Sequence, residues 1–172
     1  MLFRSIVLDA NLFASSLIKP DSVPGKVLDL VKQNQVELAL SPPIIREIKR
    51  ILLYPKISKY HHKSAQEIDL YFEDILIFAW MVEGSEPVDA IKLDPADNKY
   101  LACAYEANVN FIVSGDHHLL NLGEYKGIPV VTATEFMDIW THSKNSLIWE
   151  IPCSLLQGSS KMNRRPYCID TI

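Results

Sequence analysis

Short unbroken apolar blocks alternate along this chain with stretches in which apolar positions recur at helical spacing. Ile6-Val7-Leu8, with Phe3 upstream, reads as a buried strand that stops abruptly at Asp9. Residues 12–18 fit a short helix, and 19–22 form a loop in which Asp21 or Ser22 can cap a helix over 23–32. Val27, Leu28, Leu30 and Val31 supply the buried side of that helix, and residues 36–40 read as a second strand. Ser41-Pro42-Pro43 then opens a helix, with Ser as cap and Pro in the first turn. Its stripe is Ile44, Ile45, Ile48, Ile51 and Leu52. At about 100° per residue Glu47 falls at the edge of the stripe, while Arg46, Lys49 and Arg50 fall outside it.

Tyr54-Pro55 ends that helix, and a short basic segment leads to Ser64. Ser64 and Glu67 form a capping box, and the apolar repeat from Ile68 to Ala79 predicts a long helix ending near Val82. Glu86-Pro87-Val88 is a strand or a connector. Asp94 stands where an N-cap belongs, Pro95 at the first helical position and Asp97 at the third. Asn108 or Asn110 closes this helix before the strand 111–113, which terminates in Ser114-Gly115-Asp116. Residues 128–131 read as an edge-leaning strand, and Thr134 as the cap of a helix over 135–140. Beyond 142 the periodicity lapses, apart from a strand-like 147–151. The expected division is therefore a domain over 1–141 and an extension over 142–172, either a packed appendage or a partner-binding arm.

Strands alternating with helices predict an α/β fold with a parallel sheet covered on both faces. At 172 residues, one domain can bury its own core. No apolar run is long enough to span a membrane and the N-terminus lacks a signal-peptide core, so neither membrane nor export is expected. Three cysteines (Cys103, Cys153 and Cys168) with no C-x-x-C pair suit a reducing, cytoplasmic setting. A net charge of −4 gives no overall field for nucleic acid, but residues 46–63 carry six Lys or Arg against one acid. That run is either a solvated face or a ridge for phosphates.

Two apolar strands that each end on an acid place Asp9 and Asp116 on one rim of such a sheet, with Asp97 at the start of a helix on the same rim. Glu47 can reach it from the helix after the second strand. Capping explains Asp94 and Asp97 without chemistry, and a boundary salt bridge explains Glu47. If the four converge, like charge forbids full ionisation without raised pKa values or a cation. Hard oxygen ligands suit Mg²⁺ or Mn²⁺, which activate water and stabilise leaving oxygens in phosphodiester hydrolysis.

Four stretches in order resemble the PIN-domain nucleases, in particular the branch of toxins from toxin–antitoxin pairs. They are Val7-Leu8-Asp9-Ala10-Asn11-Leu12-Phe13, Ile44-Ile45-Arg46-Glu47-Ile48, Asp94-Pro95-Ala96-Asp97-Asn98-Lys99 and Ile112-Val113-Ser114-Gly115-Asp116. The resemblance implies a three-layer α/β/α sandwich with a central parallel sheet, and Mg²⁺- or Mn²⁺-dependent endoribonuclease activity. It makes Asp9, Glu47, Asp97 and Asp116 the metal-binding acids, with Asn11 and Ser114 in support and Asp94 as a cap. It also implies an RNA substrate, a small antitoxin partner and a homodimer. Lys49, Arg50, Lys56 and Lys59 are the candidates for guiding RNA. Where family members often carry a further acid, this chain has His118, which lowers the charge and favours Mn²⁺. His118 also leaves open a scaffold that binds RNA or protein without cutting. A haloacid-dehalogenase-type phosphatase needs a second acid where Asn11 stands, and is set aside.

Overall fold

Five residues buried from end to end, Arg4–Leu8, form the central strand β1 of the molecule. The computed structural model describes residues 4–145. After β1 come the helices α1 (Ala10–Ile18) and α2 (Val23–Lys32), strand β2 (Val36–Leu40), and helices α3 (Pro42–Leu52), α4 (Pro55–His61) and α5 (Ala65–Leu76). Strand β3 (Ala79–Met81), a 3₁₀ turn (Pro95–Asp97), helix α6 (Asn98–Ala107) and strand β4 (Phe111–Val113) follow. Helix α7 (His117–Leu122), strands β5 (Glu124–Tyr125) and β6 (Ile128–Val131) and helix α8 (Ala133–Asn145) complete the described chain.

The six strands lie in the order β3-β2-β1-β4-β6-β5, parallel except for β5, which runs antiparallel to β6. Helices pack over both faces, giving three layers. A strand covered on both sides has no solvent face, which is why Ile6, Val7 and Leu8 are all apolar and all buried. α6 lies across β1, β2 and β4, and its small Ala102, Cys103 and Ala104 let it come close. From β1 the chain steps outward through β2 to β3, then returns to lay β4 on the other side of β1. The winding therefore reverses between β1 and β4, and open α/β sheets bind ligands beyond the carboxyl ends of strands at such a reversal.

The register across this pair matters for the site. Leu8 faces Val113, so the residues that follow both strands emerge side by side. At the other end Asn110 fixes that register from both directions. Its N–H donates to Ser5 O at 2.9 Å, and its Oδ1 accepts the Ser5 N–H at 2.9 Å. The long connection between β3 and the 3₁₀ turn is anchored on α6 as well. Glu106 accepts the N–H groups of Gly84, Ser85 and Glu86 at 2.6–2.7 Å.

Several elements depart from the expectations. α5 keeps its Ser64–Glu67 capping box but ends at Leu76, and β3 occupies part of the expected helix. The run from Ile75 to Val82 is continuous in apolar residues, and such a run carries no period to tell strand from helix. The basic segment after Tyr54 is the helix α4, with Pro55 in its first turn. Residues 128–131 do form a strand, yet it is not the edge. The two-residue turn Lys126-Gly127, both at positive φ, folds β5 back along it. Asp94 caps a 3₁₀ turn, accepting the Ala96 N–H, and α6 begins only at Asn98. The cap before α8 is Thr132, paired reciprocally with Glu135, and not Thr134. α8 itself runs to Asn145, past the boundary expected at 141. The strand expected over 147–151, with Cys153 and Cys168, lies outside the described residues. No described helix is long and apolar enough to cross a membrane.

Asn110→Ala should cost about 1–2 kcal/mol, because the buried Ser5 N–H loses its acceptor at the start of β1. A urea denaturation series on the two proteins reads this as a lower midpoint at unchanged slope.

Candidate functional site

Asp9 ends β1 and caps α1 in one residue. Its backbone N–H extends the β1–β4 ladder to Val113 O at 3.1 Å, and its Oδ1 accepts the Leu12 N–H at 2.9 Å. Oδ2 accepts the Gly115 N–H at 2.7 Å and the Ser114 hydroxyl. The residue is 2% exposed, so the carboxylate is held by three protein donors rather than by bulk water. Ser114 passes the link onward, since its Oγ also accepts the Asp116 N–H at 2.9 Å. Asp116 in turn caps α7, its Oδ1 taking the His118 N–H at 2.7 Å. One chain of hydrogen bonds thus joins the acid after β1 to the acid after β4.

Glu47 reaches the same rim from the second turn of α3. Its Oε2 takes the Tyr100 hydroxyl at 2.5 Å and lies 2.8 Å from the Lys99 ammonium, and its Oε1 is 3.4 Å from Arg50. Lys99 and Glu47 are only 15% and 17% exposed, so this ion pair is screened less than a surface one. Tyr100, buried, accepts the Ala10 N–H at 3.1 Å and so bridges Glu47 to the residue after Asp9. Burial, then the Glu47 hydrogen bond and charge, hold its hydroxyl well above the usual phenol range, which keeps it a donor.

Asp97 is the unsettled member. Its Oδ2 is buried and has no hydrogen-bond partner among the described residues. Burial first, then the charges of Asp94 and Asp116, with Glu47 adding a smaller push, raise its carboxyl to about 6 against the pull of Lys99. Those causes are themselves geometric, because Asp97 feels Asp116 and Glu47 through the space they share.

Ser114 links Asp9 to Asp116, Tyr100 links Glu47 to the residue after Asp9, and Asp97 feels the charges of Asp116 and Glu47, so the four acids share one rim, while Asp94 caps its own turn at 3.1 Å. The ligating atoms of Asp116, His117 and His118 lie within 4.8 Å of one another. The two imidazoles lie tilted at 39° with centroids 3.9 Å apart, so His117, exposed as it is, belongs to the group with the half-buried His118. Asn11 is exposed and takes no part in the bonds that hold Asp9. Of the four basic candidates, Lys49 is paired with Asp69 at 2.7 Å and Arg50 with Glu47, while Lys56 is exposed and Lys59 lies over the Tyr60 ring. Asn98 and Lys99 stand in the third motif with no role assigned to them there, and Tyr100 lies just beyond it. Their one signal is position: all three lie on the first turn of α6, next to Asp97.

Comparison with known proteins bears on these residues. A family model described as PIN domain matches residues 5–118, a span that contains all four acids. An uncharacterized protein of Methanocaldococcus jannaschii is 32% identical over 119 residues, covering 68% of this chain and 74% of that protein.

The raised carboxyl of Asp97 carries a stability signature. Its folded value of about 6 lies above the ordinary 3.8, so the folded state holds a proton that the unfolded chain has released between those pH values. The penalty for the anion is full above about 6 and gone below 3.8. In chelator, Asp97→Asn should therefore be more stable than the parent at pH ~7, by on the order of 1 kcal/mol after screening is allowed for. Denaturation midpoints at that pH and near pH ~3, where the two proteins should coincide, check it.

Proposed function

The chain belongs to the PIN-domain family, whose members are generally nucleases that use divalent metal ions, and from that premise we propose that it is an Mg²⁺- or Mn²⁺-dependent endoribonuclease. The observation that carries this reading is Asp97 Oδ2, a buried carboxylate oxygen without a donor in a rim of like charges. Such an oxygen costs free energy that a cation would recover. The donor set fits a hard ion. Asp9 Oδ1 accepts one hydrogen bond and keeps a second lone pair, and Asp116 stands beside two imidazoles. Asp9, Asp97 and Asp116 would hold the ion, with a ring nitrogen of His118 in reach of Asp116 and suited to Mn²⁺.

A divalent ion in this place supplies Lewis-acid chemistry, making water a better nucleophile and offsetting charge on a phosphodiester. The chain's own groups do the positioning. Ser114 and Gly115 keep Asp9 fixed, and Tyr100 and Lys99 hold Glu47 in one orientation, where it can accept a proton from water or order it. Lys56 and Lys59, less committed than Lys49 and Arg50, are the better candidates for steering RNA toward the rim. The motif pattern supports the finer reading of a toxin with a small antitoxin partner and a dimeric state. His118 in place of an acid favours one rival, a scaffold that binds RNA without cutting.

The test is cleavage of mixed RNA and DNA pools by the full chain, with Mn²⁺, with Mg²⁺ and after chelation. Cleavage of RNA that chelator abolishes is expected. Mn²⁺ binding by calorimetry without cleavage favours the scaffold. Asp116→Asn should lower cleavage by more than roughly a hundredfold, beyond what removal of a supporting group causes, with the circular dichroism spectrum unchanged. Asp9→Asn is the less clean variant, because its amide nitrogen would meet either Gly115 N–H or Leu12 N–H as donor against donor. Lys56→Ala with Lys59→Ala should raise KM at low salt, at unchanged kcat. The salt slope of RNA binding should fall by about 0.7 for each phosphate that a lysine no longer neutralises.

A further inference from the structure

Beside the acidic rim a shallow cleft of about 190 Å³ opens between α7 and the segment just before the 3₁₀ turn. Its lining is apolar from Ala90, Ile91 and Leu122 and polar from His118, Asn121 and Lys92, the last two exposed. Both walls are tied to the candidate metal ligands. On one side the buried amide of Asn98, next to Asp97, accepts the N–H groups of Ala90 and Ile91 at 3.2 and 2.9 Å and donates to Ile91 O at 3.1 Å. On the other, Asp116 fixes the start of α7 through the His118 N–H. A wall held by three hydrogen bonds from one buried side chain is set before any ligand arrives. The cleft also has an unexplained lip. Leu93 lines it and is 86% exposed, more than any other large apolar side chain described, directly before Asp94.

We propose that this cleft receives one nucleobase of the strand whose phosphate lies at the acidic rim. Size sets the class of ligand. About 190 Å³ is several times the ~30 Å³ share of a water molecule and below the ~300 Å³ at which sites for drug-sized molecules begin, so it takes one planar ring system rather than a whole nucleotide. Chemistry agrees. A nucleobase is apolar on its faces and polar along its edge, as this lining is, and single-stranded RNA is read by splaying such a base onto apolar or aromatic side chains. Leu93 supplies a face for it and Asn121 an amide for its edge. Placement agrees too, since one wall hangs by hydrogen bonds from Asn98, the neighbour of Asp97, and the other begins at His118, whose N–H is bonded to Asp116, and a base one sugar away from a bound phosphate is the group that comes within reach. This rests on the nuclease reading above and adds to it a subsite for sequence preference.

Two measurements on the full chain separate the two claims. The first needs no metal: isotope-labelled protein in chelator is titrated with each of the four nucleoside monophosphates and with ribose phosphate. At least one nucleotide should shift the amide signals of Ile91, Lys92, Leu93, Asn121 and Leu122, while ribose phosphate does not. The double variant Leu93→Ser, Asn121→Ala alters only exposed side chains and should weaken that binding by roughly tenfold, the size of one base-stacking interaction. The second compares cleavage of intact RNA with RNA carrying one abasic ribose beside the cut, where KM should rise for the parent and not for the double variant. Equal shifts with ribose phosphate, or none from any nucleotide, overturn the subsite, and the latter is also what a peptide occupant would give. Cleavage indifferent to the abasic position overturns it while leaving the nuclease reading intact. Nucleotide binding in the cleft without cleavage under any metal leaves the subsite and removes the nuclease.

Discussion

The buried carboxylate of Asp9 ties the end of β1 to the loop after β4 through Gly115 and Ser114. Parallel strands placed side by side do not by themselves fix where the following residues go, because loops beyond a sheet have no ladder to hold them. Here the anion fixes them. A charge taken from water must be met by donors, and the donors nearest at hand belong to the loop after β4 and to the first turn of α1. Satisfying Asp9 therefore aligns Asp116, caps α1 and closes the reversal point of the sheet in one arrangement.

The rim built on that joint is not at electrostatic rest. Glu47 is met by Lys99, Tyr100 and Arg50, and Asp9 by three donors, but Asp97 keeps a buried oxygen that nothing in the described protein answers. A fold selected only for stability would place an amide or an apolar group there. Strain of this kind concentrates where a protein handles a ligand, and membership of a nuclease family gives the ligand's class. Cys103 makes the contrast: it too is buried near α3, but burial pushes its thiol up to about 12 and leaves it an inert core residue.

α6 is the element that joins these parts. Asn98 hangs the cleft wall, Lys99 balances Glu47, Tyr100 bridges Glu47 to Ala10, and Glu106 at the far end anchors the chain after β3. These polar ties explain why its other side is so thoroughly small and apolar. The helix must sit close against β1, β2 and β4 for its first turn to reach the rim at all.

The order of strands and helices, the parallel sheet and the family were legible in the sequence, because burial on both faces leaves apolar runs and helices leave a stripe at a fixed period. The acids at the two strand ends were legible for the same reason, since a charge at the end of a buried run stands out. The signal failed wherever it was too short or too uniform: β5 has two residues, and the run into β3 has no period. Only the tertiary structure decided that Asp9 is held by Ser114 and Gly115 while Asn11 stays exposed, that Lys99 and Tyr100 serve Glu47, and that Asp97 is left unanswered. Those facts depend on which side chains meet across fifty to a hundred residues of chain, and a local pattern carries no record of distance in space.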